Sequence, residues 1–281
     1  MMQFETAMLS NKGRVRDHNE DSCFALEAGR STNPTTNYYG LYLIADGMGG
    51  HQAGEIASSK AVEIISSSIL ERIIENSVGL DFFQLVLEAI EKANGEIYNM
   101  AQSNPAYSGM GTTATIGLRI DNQLYLGHVG DSRAYLIRNK EILQLTHDHS
   151  LVASLVKSGM ITKAEAMQHP DRHKIFRCLG ISPNVSIDTY KETDNRDSLT
   201  LQKGDSLVFC TDGLINYTSD VEILKTLNLA KSASDACQQL VYMANERGGD
   251  DNISIIVVKS RSSNQTTVRM STENVRSNFR M

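Results

Sequence analysis

Apolar positions along this chain follow two rhythms, and the switches between them mark its elements. The runs "FETAML" 4–9, "SCFALE" 22–27 and "YYGLYLIA" 38–45 are short and strand-like. From residue 53 the spacing becomes helical. Ile56, Ala57, Ala61, Ile64, Ile65, Ile69 and Ile73 share one face over 53–75, and Phe83, Val86, Leu87, Ile90, Ala93, Ile97 and Ala101 share another over 81–101, with Asp81 placed to cap the second helix. The runs 112–120, 123–130, 133–138 and 141–145 follow, separated by short turns at Asp121-Asn122 and Asn139-Lys140, and predict an antiparallel meander. Residues 150–180 read as helical and irregular, with a capping box at Thr162 and Glu165. Strands are expected near 186–192 and 206–211, helices at 219–228 and 232–246, and a final strand, "NISIIVV", ending at 258. Strands come in runs and helices in pairs. That is the order of an α+β sandwich, with antiparallel sheets carrying helices on their outer faces, and not of a βαβ fold.

One irregularity recurs. "LYLIAD-G" ends at Asp46, "LYLGHVG-D" at Asp131 and "SLVFCTD-G" at Asp212, while Asp21 and Asp251 open strands. In antiparallel pairing the end of one strand lies beside the start of its neighbour, so these five aspartates can share one edge of the sandwich. Clustered carboxylates repel and resist desolvation, and a divalent cation is the natural remedy. An all-oxygen set selects Mg²⁺ or Mn²⁺, whereas zinc would want His and Cys at suitable spacing, which this edge lacks on the sequence. Glycines 47, 49 and 50 after Asp46 allow close backbone approach. Two adjacent metals suit in-line attack on a phosphoryl group, and Arg16, five residues before Asp21, offers the forked donors that a phosphate prefers.

Composition changes this picture little. The chain is 41% hydrophobic and 21% charged, with net charge −6, which is ordinary for a globular protein and argues against nucleic acid as a partner. No secretory signal or membrane span is visible, and four scattered cysteines read as reduced thiols, so a cytoplasmic monomer is expected. Residues 259–281 hold five Lys/Arg and one acid, and read as a disordered tail after a single domain of residues 1–258.

The blocks "RDHNED" 16–21, "ADGMGGHQAGE" 45–55, "MGTTA" 110–114, "HVGDSRAY" 128–135, "LTHDHS" 145–150, "HPDRHKIFRCLG" 169–180, "CTDGL" 210–214 and "GGDDNIS" 248–254 resemble, in order, the metal-dependent protein Ser/Thr phosphatases of type 2C in their compact bacterial form. The resemblance implies two stacked antiparallel sheets flanked by helix pairs, a four-layer sandwich with the metal site at one edge. It implies that Asp46 bridges two Mn²⁺ or Mg²⁺ ions, one held also by Asp212 and Asp251 and the other by the Gly47 carbonyl, with Asp21 acting through metal-bound water. Asp131 and Asp212 would hold a weaker third ion. Arg16 would grip phosphate, His51 would contact substrate, and residues 151–180 would form a flap beside the site. The implied reaction is hydrolysis of phosphoserine and phosphothreonine in proteins, the products of a Ser/Thr kinase, by a metal-bridging hydroxide.

There are departures from the family pattern. Met48 stands where many members carry a histidine, and Thr211 replaces the commoner serine before Asp212. Asn252 favours Asp251 over Asp250 as the inward acid. His128 reads as a hydrogen-bonded core histidine and Cys210 as buried filler. Cys-x5-Arg chemistry is excluded, because Gly29, Asn184, Asn216 and Met243 stand where the arginine would be required. A non-catalytic binding module would be expected to lack a metal carboxylate or the arginine, and all are present. A phosphatase dedicated to one signalling circuit would share the same chemistry.

Overall fold

The structure, a computed structural model, describes residues 2–32, 35–49, 53–75, 79–190 and 197–261. The amino-terminal half forms β1 (Gln3–Asn11), β2 (Asp21–Thr32) and β3 (Thr35–Met48), then α1 (Ala53–Glu75) and α2 (Phe82–Ser103). Next come β4 (Gly111–Thr112), β5 (Ala114–Ile120), β6 (Gln123–Val129), β7 (Arg133–Arg138) and β8 (Glu141–Gln144). Beyond them lie α3 (Leu151–Lys157), α4 (Lys163–Met167), β9 (Asp188–Thr189), β10 (Leu199–Thr200) and β11 (Ser206–Cys210). The chain continues through α5 (Asp212–Ile215), α6 (Asp220–Leu229) and α7 (Ala233–Glu246) to β12 (Ile253–Arg261).

Two antiparallel sheets result. One has the order β1-β12-β11-β7-β8 and the other β10-β6-β5-β3-β2, with β4 beside β3 and β9 beside β6. Strict alternation along the strands makes three apolar layers from them. Leu41, Leu43 and Ala45 of β3 point toward α1 and α2, where Ile65, Ile69, Ile90 and Ile97 are buried. Their neighbours Tyr42 and Ile44 turn the other way and meet Leu207, Phe209, Ile256 and Val258 between the sheets. Val208, Cys210, Ile255 and Val257 face Ile223, Leu227, Cys237 and Leu240 of α6 and α7. The fold is therefore a four-layer α+β sandwich, as the order of elements predicts.

Two details differ from the pattern. The predicted meander is split between sheets: β5 pairs β6 in one and β7 pairs β8 in the other. The chain crosses between them at Gly130–Ser132, where Gly130 adopts φ +117° and an added Cβ would lie 2.4 Å from Thr113 Cγ2. The last strand runs to Arg261, opposite Gln3, beyond the end of the apolar run. The turns at Asp121 and at Asn139-Lys140 lie where expected, with positive φ at all three of these residues. Asp81 caps α2 by accepting from Gln84 N, the predicted capping box at Thr162 and Glu165 is formed, and Ser219 with Glu222 forms another at the start of α6.

Phe209 is fully buried in the middle layer, its ring 5.7 Å from that of Tyr42, and Gly117 leaves the space it fills. Phe209→Ala should destabilise the fold by about 3–5 kcal/mol, measured by urea unfolding, because a cavity between two rigid sheets closes poorly.

Candidate active site

The sheets bring the recurring aspartates to one edge. Asp21 and Asp46 are register partners across β2 and β3. Asp212 follows β11 and opens α5, Asp251 precedes β12, and Asp131 sits at the crossing between sheets. Each carboxylate feels the others. Burial, then repulsion from Asp21, Asp212, Asp131 and Asp251, holds the Asp46 carboxyl well above the usual range. Burial and Asp212 do the same to Asp131. Burial pushes Asp21 up to about 7 against the hydrogen bonds that favour its charge. Asp251 is also raised, chiefly by burial and Asp212, despite the nearby Arg16.

The acids are fixed by backbone and hydroxyl contacts. Thr113 Oγ1 accepts from Asp46 N at 2.9 Å and contacts Ser132 Oγ at 2.8 Å, while Thr112 Oγ1 donates to Asp46 O at 2.9 Å. Thr211 Oγ1 donates to Asp21 Oδ2 at 2.9 Å and accepts from Ser254 N at 3.0 Å. Gly47 is packed so closely that an added Cβ would lie 2.1 Å from Gly54 O. Asn252 holds the approach loop, donating to Lys12 O and His18 O and accepting from Glu20 N. Arg16, largely exposed, reaches Asp251 Oδ2 at 2.9 Å and Asp250 O at 3.3 Å. Asp251 faces the cluster, whereas Asp250 faces Arg172 at 3.7 Å. His51 lies outside the described residues.

Two groups absent from the sequence reading join the site. Thr211 appears there only as a tolerated replacement, yet it orients Asp21. His173, to which the sequence assigns no role, reaches the edge from the segment after α4. Its Nδ1 lies 3.6 Å from Asp212 Oδ2, and one ligand atom each from His173, Asp212 and Asp251 fall within 4.8 Å of one another. The expectation that this edge lacks histidine is corrected: residues 169–177 return from α4 across the acids, a path without periodic signature. By contrast, His128 is a buried core histidine, bonded to Thr115 Oγ1 and His147 O, and Cys210 is buried filler. Asp148 pairs with Arg133, and His149 Nδ1 accepts from Gly130 N, so residues 146–149 form no common ligand set.

The donor set fits hard divalent ions. Asp21 Oδ1 and Asp212 Oδ1 are buried without a hydrogen-bond partner among the described residues. A buried carboxylate oxygen left unpaired amid like charges is costly unless a cation meets it.

Residues 6–154 match the family profile described as Protein phosphatase 2C. The chain is 34% identical over 250 residues to the serine/threonine phosphatase stp of Listeria monocytogenes, covering 89% of this chain and 93% of that protein. It is 37% identical over 258 residues to protein phosphatase PhpP of Streptococcus pneumoniae, covering 90% and 96%. This chain belongs to the protein phosphatase 2C family. As a member it is a serine/threonine phosphatase, a hydrolase. Among solved structures, a bacterial serine phosphatase superposes with TM-score 0.79 at 32% identity, covering 94% of this chain and all (100%) of that one. The catalytic domain of PstP, solved with two manganese ions, gives TM-score 0.75 at 32% identity, covering 93% and 100%.

The raised carboxylates fix a sign. Without a cation, the unfolded chain loses these protons near the ordinary carboxylate value and the folded chain only at higher pH, so stability falls as pH rises through that interval. In EDTA, Tm should drop between about pH 4 and about pH 7, and Asp46→Asn should raise stability at the upper end by at least about 1 kcal/mol. Thermal unfolding with and without Mn²⁺ measures this, and excess Mn²⁺ should reverse the ranking of wild type and variant.

Proposed function

We propose that this chain hydrolyses phosphoserine and phosphothreonine in proteins with two Mn²⁺ or Mg²⁺ ions held at the acidic edge. Asp46, Asp212, Asp251 and the Gly47 carbonyl would hold the two ions, Asp21 would act through bound water, and Asp131 with Asp212 would take a weaker third ion. The observation carrying this reading is the pair of buried, unpartnered oxygens, Asp21 Oδ1 and Asp212 Oδ1, beside an exposed guanidinium. Bound divalent ions supply charge neutralisation at phosphoryl oxygens and lower the pKa of water.

The chain's own residues do the rest. Arg16 binds phosphate through its fork, and Asp251 with the Asp250 carbonyl aims that fork across the cluster. Thr211 and Thr113 keep Asp21 and Asp46 from retreating. The reaction is one in-line displacement: the oxygen of water bonds to phosphorus as the bond to the seryl or threonyl oxygen breaks, and the leaving oxygen takes a proton. Met48 has none to give, and a water held by the ions would supply that proton. The reading has no phosphocysteine step: burial pushes Cys23 and Cys178 up to about 11 and Cys210 and Cys237 up to about 12, which disfavours an attacking thiolate.

The same reading makes residues 1–258, with the end of β12 at Arg261, one phosphatase domain with a flap at 151–180. It makes the protein a cytoplasmic monomer acting on the products of a Ser/Thr kinase. No helix of the described residues is long and apolar enough to cross a membrane.

Hydrolysis of a phosphothreonine peptide should require Mn²⁺ or Mg²⁺ and stop in EDTA. Asp212→Asn should lower kcat by about 100-fold or more while the chain stays folded by circular dichroism. Full activity of that variant would refute the site, and an inert but folded wild type would favour a binding module. Arg16→Ala should act mainly by raising KM about tenfold, measured by steady-state kinetics on the same peptide.

A further inference from the structure

His173 stands apart from the acids around it in element, chemistry and exposure. It belongs to the flap, it offers nitrogen to an otherwise all-oxygen site, and its side chain is 45% exposed. Its segment is nonetheless anchored. Leu151 N donates to Lys174 O at 2.9 Å and Phe176 N to His149 O at 2.9 Å, pinning the backbone just after the histidine, and Arg172 N donates to His169 O at 3.1 Å just before it. Further along, Leu179 and Thr112 exchange hydrogen bonds at 2.8 and 3.2 Å, and the Thr112 hydroxyl also donates to Asp46 O. The flap backbone is thus tied to the backbone of the central acid.

The neighbourhood explains why an imidazole here is more than a surface charge partner. The ligand atoms of His173, Asp212 and Asp251 lie within one coordination sphere's width of one another. The second oxygen of Asp212 is buried and unpartnered. The adjacent Arg172 is engaged by Asp250, so the cationic neighbour points away from the cluster.

We propose that His173 donates an imidazole nitrogen to the divalent ion held by Asp212 and Asp251, locking the flap to the site when the ion is bound. This rests on the phosphatase reading above and goes beyond it in two respects. Nitrogen ligation favours borderline ions over hard ones, so the site discriminates for Mn²⁺ against Mg²⁺ more than an all-carboxylate site does. Occupancy of the site also fixes the flap, which carries the exposed Phe176 and Met160.

Pulsed EPR of the Mn²⁺-loaded chain tests the bond directly. Wild type should show ¹⁴N modulation from a coordinated imidazole, and His173→Asn should lose it while still binding Mn²⁺. Calorimetric titration should find the preference for Mn²⁺ over Mg²⁺ reduced about tenfold in the variant. Trypsin adds an independent measure: Mn²⁺ should slow cleavage after Lys174 in wild type and leave His173→Asn unprotected. Absence of nitrogen coupling in Mn²⁺-loaded wild type, or its persistence in His173→Asn, overturns the proposal while leaving the acidic site standing. If Asp212→Asn binds Mn²⁺ as tightly as wild type, the phosphatase site reading falls and this proposal with it.

Discussion

The constraint that organises this molecule is repulsion among carboxylates that cannot move apart. Each acid sits where an apolar run begins or stops. Leu43, Ile44 and Ala45 before Asp46 are completely buried, as are Phe209, Cys210 and Thr211 before Asp212. Moving either acid outward would drag a core strand from its layer. The backbone of Asp46 is also bonded on both sides, by Thr113 at its nitrogen and by Thr112 and Thr113 at its oxygen. Rigidity of this kind suits an unfavourable charge cluster to holding a cation, because the relaxation that would relieve the repulsion is blocked.

Hydroxyl groups do the joining between layers. Asp21 and Asp46 belong to one sheet and Ser254 to the other. Thr211 spans them, donating to the carboxylate and accepting from the backbone of β12. Thr113 and Ser132 link β5 to the crossing loop that carries Asp131. A hydroxyl can donate and accept at once, so it can satisfy a buried carboxylate and a buried amide without adding charge. More lysine or arginine here would neutralise the acids permanently and leave nothing for a metal.

What the sequence reveals and what it hides follows from this division. Strand-end acids are legible because an apolar run and a terminal carboxylate are both local features. The sandwich is legible because element order alone separates it from a parallel sheet. The crossing between sheets at Gly130–Ser132 is not, since a three-residue link reads like a hairpin turn and only the Gly130 backbone shows otherwise. β9 and β10, at two residues each, are too short to carry alternation. Thr211 looked like a neutral replacement because its partner, Asp21, is distant in sequence. His173 was hidden for the same reason: its position depends on hydrogen bonds from Leu151, His149 and Thr112, none of which leaves a periodic trace.

Adjacent acids at the start of β12 show how finely the edge is divided. Asp251 turns toward the cluster and meets Arg16, while Asp250 turns away and meets Arg172 of the segment after α4. Arg16 touches both, through the Asp251 carboxylate and the Asp250 carbonyl. Two consecutive residues therefore connect the acidic edge, the exposed guanidinium and the segment carrying Arg172, using only the opposite directions of neighbouring side chains. Asn252 completes the junction by gripping the loop that carries Arg16, at Lys12, His18 and Glu20. A shift of one residue in the register of β12 would put Asp250 into the cluster, free Arg172 and release that loop together. The long pairing of β12 with β1 on one side and β11 on the other makes such a shift costly, since it would also exchange Ile255 and Val257 with Ile256 and Val258 between two different apolar layers.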